Sequence, residues 1–330
     1  MPSSLEQISC PLCDYQGQNL PVIKWFSEPN IQQFRTLYGS AKKSIWCICG
    51  LCGFIFQNPR PSQKSLQEIY EKSQYHPSVT MPTKQGFADF ARWYYQEKIE
   101  YAMKHTKCHS GLAYDLGCGR GEALFVLREK GFNIKGLEMD AQCIQIAEQF
   151  LGQGAVCAKL LTSNMLESEK ADLVFSNHAL EHFTDLKDAF KGLQQLVKPM
   201  GHVVTVVPTT AQNRSFLGRA YLNAAHYSAF SHHSLSQLFA KYGFKTIHHT
   251  YRGWKNEIDE VWHIAQYRPE LTLDPTQFYE NPQKVSLDIN FFNPFRAVLL
   301  SPKYAYHNKR IWATNLSKHM IRRMKQKIVS

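Results

Sequence analysis

A doubly wound, mostly parallel α/β sheet behind a small cysteine-bearing module is the fold class this sequence predicts, on three observations. From Leu112 onward, apolar strand-like runs alternate with amphipathic helical ones. Glycines close the helical runs at Gly131, Gly152 and Gly201. Five of the nine cysteines fall within the first 52 residues, whereas a sheet domain has no need of such a cluster.

Residues 1–62 form the cysteine module. Cys10-Pro-Leu-Cys13 and Cys49-Gly-Leu-Cys52 are two C-x-x-C pairs with 35 residues between them. Each tight turn aims two sulfurs the same way, and two such pairs complete a tetrahedral thiolate site for Zn2+. Such a site is closed, so the metal is assigned a folding role. The odd cysteine count lacks disulfide-framework spacing, and Cys47 reads as a spare. Residues 63–106 read as a helical lid or linker. There Phe87, Phe90, Tyr94, Ile99 and Met103 recur at helical steps that must cover something apolar.

Residues 107–253 carry the alternating pattern: LAYDL, EALFVLREKG, NIKGLEMD, AQCIQIAEQFLG, AVCAKLL, ADLVFSN, DLKDAFKGLQQLVKPMG, HVVTVVP, then SLSQLFAKYGF and KTIHHTYR. Residues 254–330 read as an aromatic, irregular extension with a basic end. Eight Lys/Arg and no acid lie in residues 301–330, so the net charge of +11 leaves only +3 for the rest. Attraction to a polyanion therefore belongs to the tail: an anionic membrane surface, a nucleotide-charged substrate or nucleic acid, against the plainer reading of a solvated helix. With 44% hydrophobic residues in 330, a sizeable core is expected. No run approaches 18 apolar residues and the first residues lack a basic and apolar leader, which predicts a cytoplasmic protein.

The segment YDLGCGRGE, residues 114–122, puts Gly117, Gly119 and Gly121 in the turn between a strand and a helix, where backbone must approach a ligand. A dinucleotide fingerprint needs glycine or alanine at 122, where this chain has Glu122, and Asp115 would repel a pyrophosphate. A cationic ligand reverses that sign. S-adenosylmethionine is the common cation that also carries a ribose and an adenine. Glu138, closing GLEMD some twenty residues on, can accept the ribose hydroxyls.

DLGCGRG, GLEMD, DLVFSNHALEHFTD, VKPMGHVVTVVP and SHHSLSQLFAKYGF together resemble the class I S-adenosylmethionine-dependent methyltransferases, over about residues 86–250. The resemblance implies a Rossmann-like sheet of seven strands. It also implies cofactor contacts from Asp115, Gly117, Cys118, Gly119, Gly121, Glu138, Met139 and Asn177. The acid or amide that often follows the third strand to read adenine is not obvious in AKLLTSN. CGLCGFIFQNPRPS before a tyrosine-rich helix is similar to the zinc-ribbon front end of bacterial methyltransferases of sugar and surface-polysaccharide pathways. That likeness implies O-methylation of a small polyhydroxylated acceptor, such as a nucleotide- or lipid-linked sugar. Two other functions are carried beside it: an RNA methyltransferase gripping its substrate with ribbon and tail, and a non-catalytic scaffold that binds the cofactor.

Methyl transfer to a hydroxyl needs a base. His178, Glu181 and His182 in HALEH share a face if helical, and formally match the zinc-protease pattern H-x-x-E-H, which the position after a fourth strand argues against. His178 is the first candidate base, oriented by Glu181; the plainer reading has Glu181 and His182 only capping the loop. His226 is the second, because AHYSAFSHH resembles the E-H-x-S-x-F-S segment of deoxysugar C-methyltransferases, in which the histidine is the base. Ala225 stands where that segment has glutamate.

Overall fold

The computed structural model describes residues 5–22, 44–62, 81–166, 168–209, 222–252 and 260–290. The basic tail, the tyrosine-rich run 63–80 and Cys47's neighbours before residue 44 lie outside these.

The main sheet has seven strands: β6 (Gly111–Leu116), β7 (Phe132–Glu138), β8 (Val156–Ala158), β9 (Ala171–Asn177), β10 (Val197–Pro208), β12 (Phe244–Arg252) and β13 (Glu260–Tyr267). Their spatial order is β12-β13-β10-β9-β6-β7-β8. Six strands run in one direction, while β13 is antiparallel to both its neighbours. β13 comes from residues read above as irregular. Its apolar run EVWHIAQY is inserted between β10 and β12 and is buried over its first six residues, so sheet pairing overrides its weak alternation. Because β13 runs backwards, its first residue, Glu260, pairs with Pro208 at the C-terminal edge of the parallel strands. Ligands of doubly wound sheets bind at that edge.

Helices α1 (Lys84–Thr106), α2 (Glu122–Glu129) and α3 (Ala141–Leu151) share one core through Ala91, Ile99, Leu124, Leu127 and Ala147. Thr83 caps α1 by accepting the Gly86 N–H at 3.0 Å, and a left-handed Lys107 ends it. The buried positions of α1 are Phe87, Ala91, Lys98, Ile99, Ala102 and Thr106. Phe90 and Tyr94, expected on the buried stripe, instead stack on each other at 5.8 Å, with Phe90 on the exposed side. Two small residues, Ala91 and Ala102, let the helix approach its neighbours, so the apolar stripe is rotated away from the aromatic row.

Helices α4 (Leu186–Leu196) and α5 (His232–Lys241) belong to the other core, which is continuous with the cysteine module: Cys10, Leu12, Phe54 and Phe56 cluster with Phe190, Phe230, Leu235 and Phe239. The module contributes β1 (Leu5–Glu6) paired with β5 (Arg60–Pro61), and β2 (Leu20–Pro21), β3 (Trp46–Ile48) and β4 (Ile55–Gln57) in a second sheet. The fourth strand of that second sheet, β11 (Ser228–Ala229), comes from the larger domain. Asp14 adds ion pairs to Lys187 at 2.5 Å and Lys241 at 2.8 Å. A further helix, α6 (Pro282–Asn290), follows a short turn.

This shared core predicts joint unfolding. Phe54→Ala should cost about 3–5 kcal/mol in urea denaturation, and do so in a single transition. Separate transitions for module and sheet would contradict the merged core.

Candidate active site

The strand β6 delivers its last residues into the glycine turn. Gly117, Gly119 and Gly121 have φ of 66, 53 and 84°, a region open to glycine at little cost. The three are not equivalent. A Cβ on Gly117 would lie 2.8 Å from that of Ala179, so packing demands glycine there; one on Gly121 would meet the movable Leu151 Cδ1 at 2.6 Å and Ala147 Cβ at 3.1 Å, so its positive φ is the stronger demand. A Cβ on Gly119 would meet nothing within 4 Å: this glycine faces open space.

Three carboxyls surround the turn. Asp115 is buried, and its carboxyl is pushed well above the usual carboxylate range by desolvation, then by the charges of Glu138 and Glu122. Glu122 is buried too and meets Arg120 at 2.5 Å. Glu138 Oε2 accepts the Gly119 N–H at 2.8 Å, while its Oε1 accepts those of Met139 at 2.7 Å and Asp140 at 2.9 Å. Glu138 thus clasps the turn with three backbone bonds, leaving an acceptor lone pair on Oε2. A turn this acidic, with room above Gly119, suits a cation and opposes a pyrophosphate, so these residues fit S-adenosylmethionine.

Helix α1 covers the turn. The Arg120 guanidinium lies 5.7 Å from the Phe90 ring, and the Tyr95 hydroxyl is raised by burial and by Asp115 and Glu122.

The loop after β9 is held by a buried polar network. Lys98 Nζ on α1 meets Glu260 Oε1 at 3.1 Å and donates to Asn177 Oδ1 at 2.8 Å. Glu260 Oε1 lies 2.7 Å from His178 Nε2, and Oε2 accepts from Trp262 Nε1 at 2.8 Å. A carboxylate accepts, so Nε2 carries the proton and Nδ1 holds the lone pair of the neutral ring. Burial by itself would raise the Glu260 carboxyl, but the His178 hydrogen bond and the Lys98 charge outweigh it and lower it to about 2.

The HALEH segment is helical only over Leu180–His182, as a 3-10 turn, and His178 precedes it with φ 52°. Its three polar residues therefore do not share a helix face. Glu260, rather than Glu181, orients His178; Glu181 Oε1 stands 3.8 Å from Nδ1. Glu260 and Lys98 were missed because they lie 82 and 79 residues from the loop they hold. The signal for Glu260 was an acid opening an otherwise apolar run; Lys98, in the polar stretch QEKIE, carried none. The structure brings the second candidate, His226, to the same place: Glu181, His182 and His226 offer ligand atoms within 4.8 Å of one another.

In the module, Cys10 Sγ and Cys52 Sγ lie 3.7 Å apart, and Cys13 Sγ and Cys49 Sγ 3.5 Å. Sulfurs about 2.3 Å from one ion at tetrahedral corners are about 3.8 Å apart, so the four cysteines fit a thiolate-bound metal and not disulfides. Each knuckle ends in a left-handed residue, Asp14 (φ 61°) and Gly53 (φ 76°). The Leu51 N–H points at Cys49 Sγ at 3.4 Å. Sharing of protons lowers the Cys49 thiol, first through Cys10, and raises Cys10, first through Cys13.

Residues 110–249 match the family model described as a methyltransferase domain. The matched residues are 140 of the chain's 330, and the sheet they contribute to has the Rossmann-like strand order of methyltransferases. Among curated relatives, the ubiquinone biosynthesis O-methyltransferase of Pectobacterium carotovorum is 29% identical over 94 residues, 27% of this chain and 39% of that protein. The chain thus spans well under half the length of that relative. Similar solved structures include an S-adenosylmethionine-dependent methyltransferase from Archaeoglobus fulgidus, 18% identical over 53% of this chain and 94% of that one, with a TM-score of 0.44. Magnesium protoporphyrin IX methyltransferase from Synechocystis PCC 6803 is 12% identical over 62% and 99%, with a TM-score of 0.45.

Removing one partner of the buried ion pair leaves an uncompensated charge, so Lys98→Met should cost about 3–5 kcal/mol, and Glu260→Gln in the same chain should restore part of it. A full additive loss in the double variant refutes the pairing. The depressed Glu260 carboxyl also gives the pH sign. Its contribution is complete above its ordinary value of 4.5 and is lost as pH falls toward about 2. Glu260→Gln should flatten the stability curve across that window, as read by urea titrations at stepped pH.

Proposed function

We propose that this protein methylates a hydroxyl of a small polyhydroxylated molecule, a sugar or surface-polysaccharide precursor, using S-adenosylmethionine. The observation that carries the reading is the neighbourhood of His178. A histidine with Nε2–H anchored on a buried carboxylate sits at the C-terminal edge of the sheet, on the loop after the strand beside β6. The cofactor supplies a methyl group already activated on a sulfonium. Glu122 and Glu138 offer the negative surroundings that cation requires, a cation there draws the raised Asp115 carboxyl back toward its charged form, and Gly119 leaves it room. His178 Nδ1 takes the proton of the acceptor hydroxyl, whose oxygen then forms the bond to the methyl carbon as the carbon–sulfur pair returns to sulfur. Glu260 stabilises the imidazolium, the role of the acid in a hydrolytic triad. Alignment of acceptor and methyl supplies most of the rest. A curated relative whose name states O-methyl transfer supports oxygen as the acceptor atom. Zinc in the four-cysteine site is assigned a folding role, since four protein ligands leave it no open position.

Calorimetry should detect binding of S-adenosylmethionine and none of NAD. Gly119→Val should abolish that binding in a protein that still unfolds cooperatively, whereas Gly117→Val should fail to fold. His178→Ala should keep cofactor affinity and lose roughly 100- to 10,000-fold in turnover. Near-normal turnover in that variant, with collapse in His226→Ala, would transfer the base to His226. Cys49→Ser with Cys52→Ser should release about one zinc per chain by metal analysis; unchanged zinc would remove the assignment.

A further inference from the structure

We propose that Glu181, His182 and His226 form a second, open metal centre that binds one divalent transition-metal ion beside the acceptor hydroxyl. Ion binding stands on the geometry alone, and the ion's role rests on the reaction proposed above.

Glu181 is the observation that demands a cation. It is 2% exposed, and neither carboxylate oxygen receives a hydrogen bond. Among the described residues the nearest recorded basic atom is His178 Nδ1, at 3.8 Å. A buried carboxylate left without hydrogen bonds is costly, and an ion is the partner that would compensate it. His182 is oriented to help. Its Nδ1 lies 2.8 Å from the Ala225 carbonyl oxygen, which can only accept, so Nδ1 carries the proton and Nε2 holds the lone pair. Anchoring one ring nitrogen on a carbonyl is how metal-binding histidines are held in one tautomer. His226 completes the set by exchanging the long 3.4 Å contact of its Nδ1 with Asn223 Nδ2 for the ion; its ring stands edge-on to that of His182 with centroids 4.6 Å apart.

The ligand atoms lie within 4.8 Å of one another, whereas ligands about 2.1 Å from a tetrahedral ion are about 3.4 Å apart. Adjustments on the scale of a rotamer close that gap. Two imidazoles and one carboxylate select manganese, iron(II), cobalt or zinc over magnesium or calcium. Three protein ligands leave positions open, unlike the closed four-cysteine site. Those positions suit an acceptor with two adjacent oxygens, a vicinal diol or a hydroxy-carbonyl compound. The ion's charge lowers the acceptor's pKa, and His178 receives the proton; no electron leaves or enters, so no oxidant is needed.

The test uses full-length protein with its cysteine site filled by zinc, titrated with manganese(II) and followed by electron paramagnetic resonance, since manganese avoids thiolates. The expected result is one bound manganese per chain, weakened about tenfold or more in Glu181→Gln and in His226→Ala and kept in His178→Ala. Thermal stability should rise with manganese in the native protein and not in Glu181→Gln. Glu181→Gln preserves shape, so it decides the matter even if His226→Ala fails to fold. Absence of manganese binding, or equal binding in native protein and Glu181→Gln, overturns the centre. Bound manganese without turnover on any hydroxyl acceptor refutes the reaction and leaves the centre standing.

Discussion

The buried pair of Lys98 and Glu260 is the contact on which the site depends. It joins three pieces distant in sequence: the covering helix, the reversed strand β13 and the loop after β9. Such a pair is a poor source of net stability, because desolvating two charges consumes most of their attraction. What it provides is position. Lys98 also lies 4.2 Å from the Tyr94 ring, so the helix that carries the aromatic row over the glycine turn is fixed by the charge that orients His178. Covering the glycine turn and aiming His178 are thus one structural event.

The cysteine module has a second task that its closed site would not suggest. Gln57, buried on β4, donates its side-chain amide to the carbonyls of Asn223 and His226, while its backbone N–H donates to Tyr227. The Tyr227 N–H in turn donates to the Glu181 carbonyl at 2.8 Å. Metal held by the four cysteines would therefore fix β4, which is bonded to the segment bearing His226, and that segment holds the loop of Glu181 and His182. A structural metal placed this way acts on catalysis through position alone, as the supporting shell of a site does.

Much of the fold was legible because it rests on local signals. Each strand or helix of the alternation, the glycine turn at residues 114–122 and each four-residue knuckle is a short local signal, and each appears in the structure. What was not legible depends on distant pairing. β13 lacks the alternation of a half-exposed strand because both its faces are buried. The shared helix face expected for HALEH does not form, because the chain makes only a single 3-10 turn there, which leaves Glu181 a 3.8 Å contact with His178 Nδ1. His178 and His226, separated by 48 positions, looked like rival bases. The structure places both around Glu181, so their chemistry need not be exclusive.

The acidity of the site gives the last step. Asp115, Glu122 and Glu138 crowd the glycine turn, and Glu181 and Glu260 crowd the loop after β9. Among the described residues, Lys98 and Arg120 are the fixed cations paired with these five carboxyls. Such an arrangement is unstable toward self-repulsion unless cations arrive from outside. Two kinds of cation match the two clusters: a sulfonium with an ammonium group at the turn, and a metal ion at Glu181. Both clusters lie at one edge of one sheet, so each bound cation weakens the negative potential that attracts the other. Cofactor and ion should therefore bind with negative electrostatic coupling.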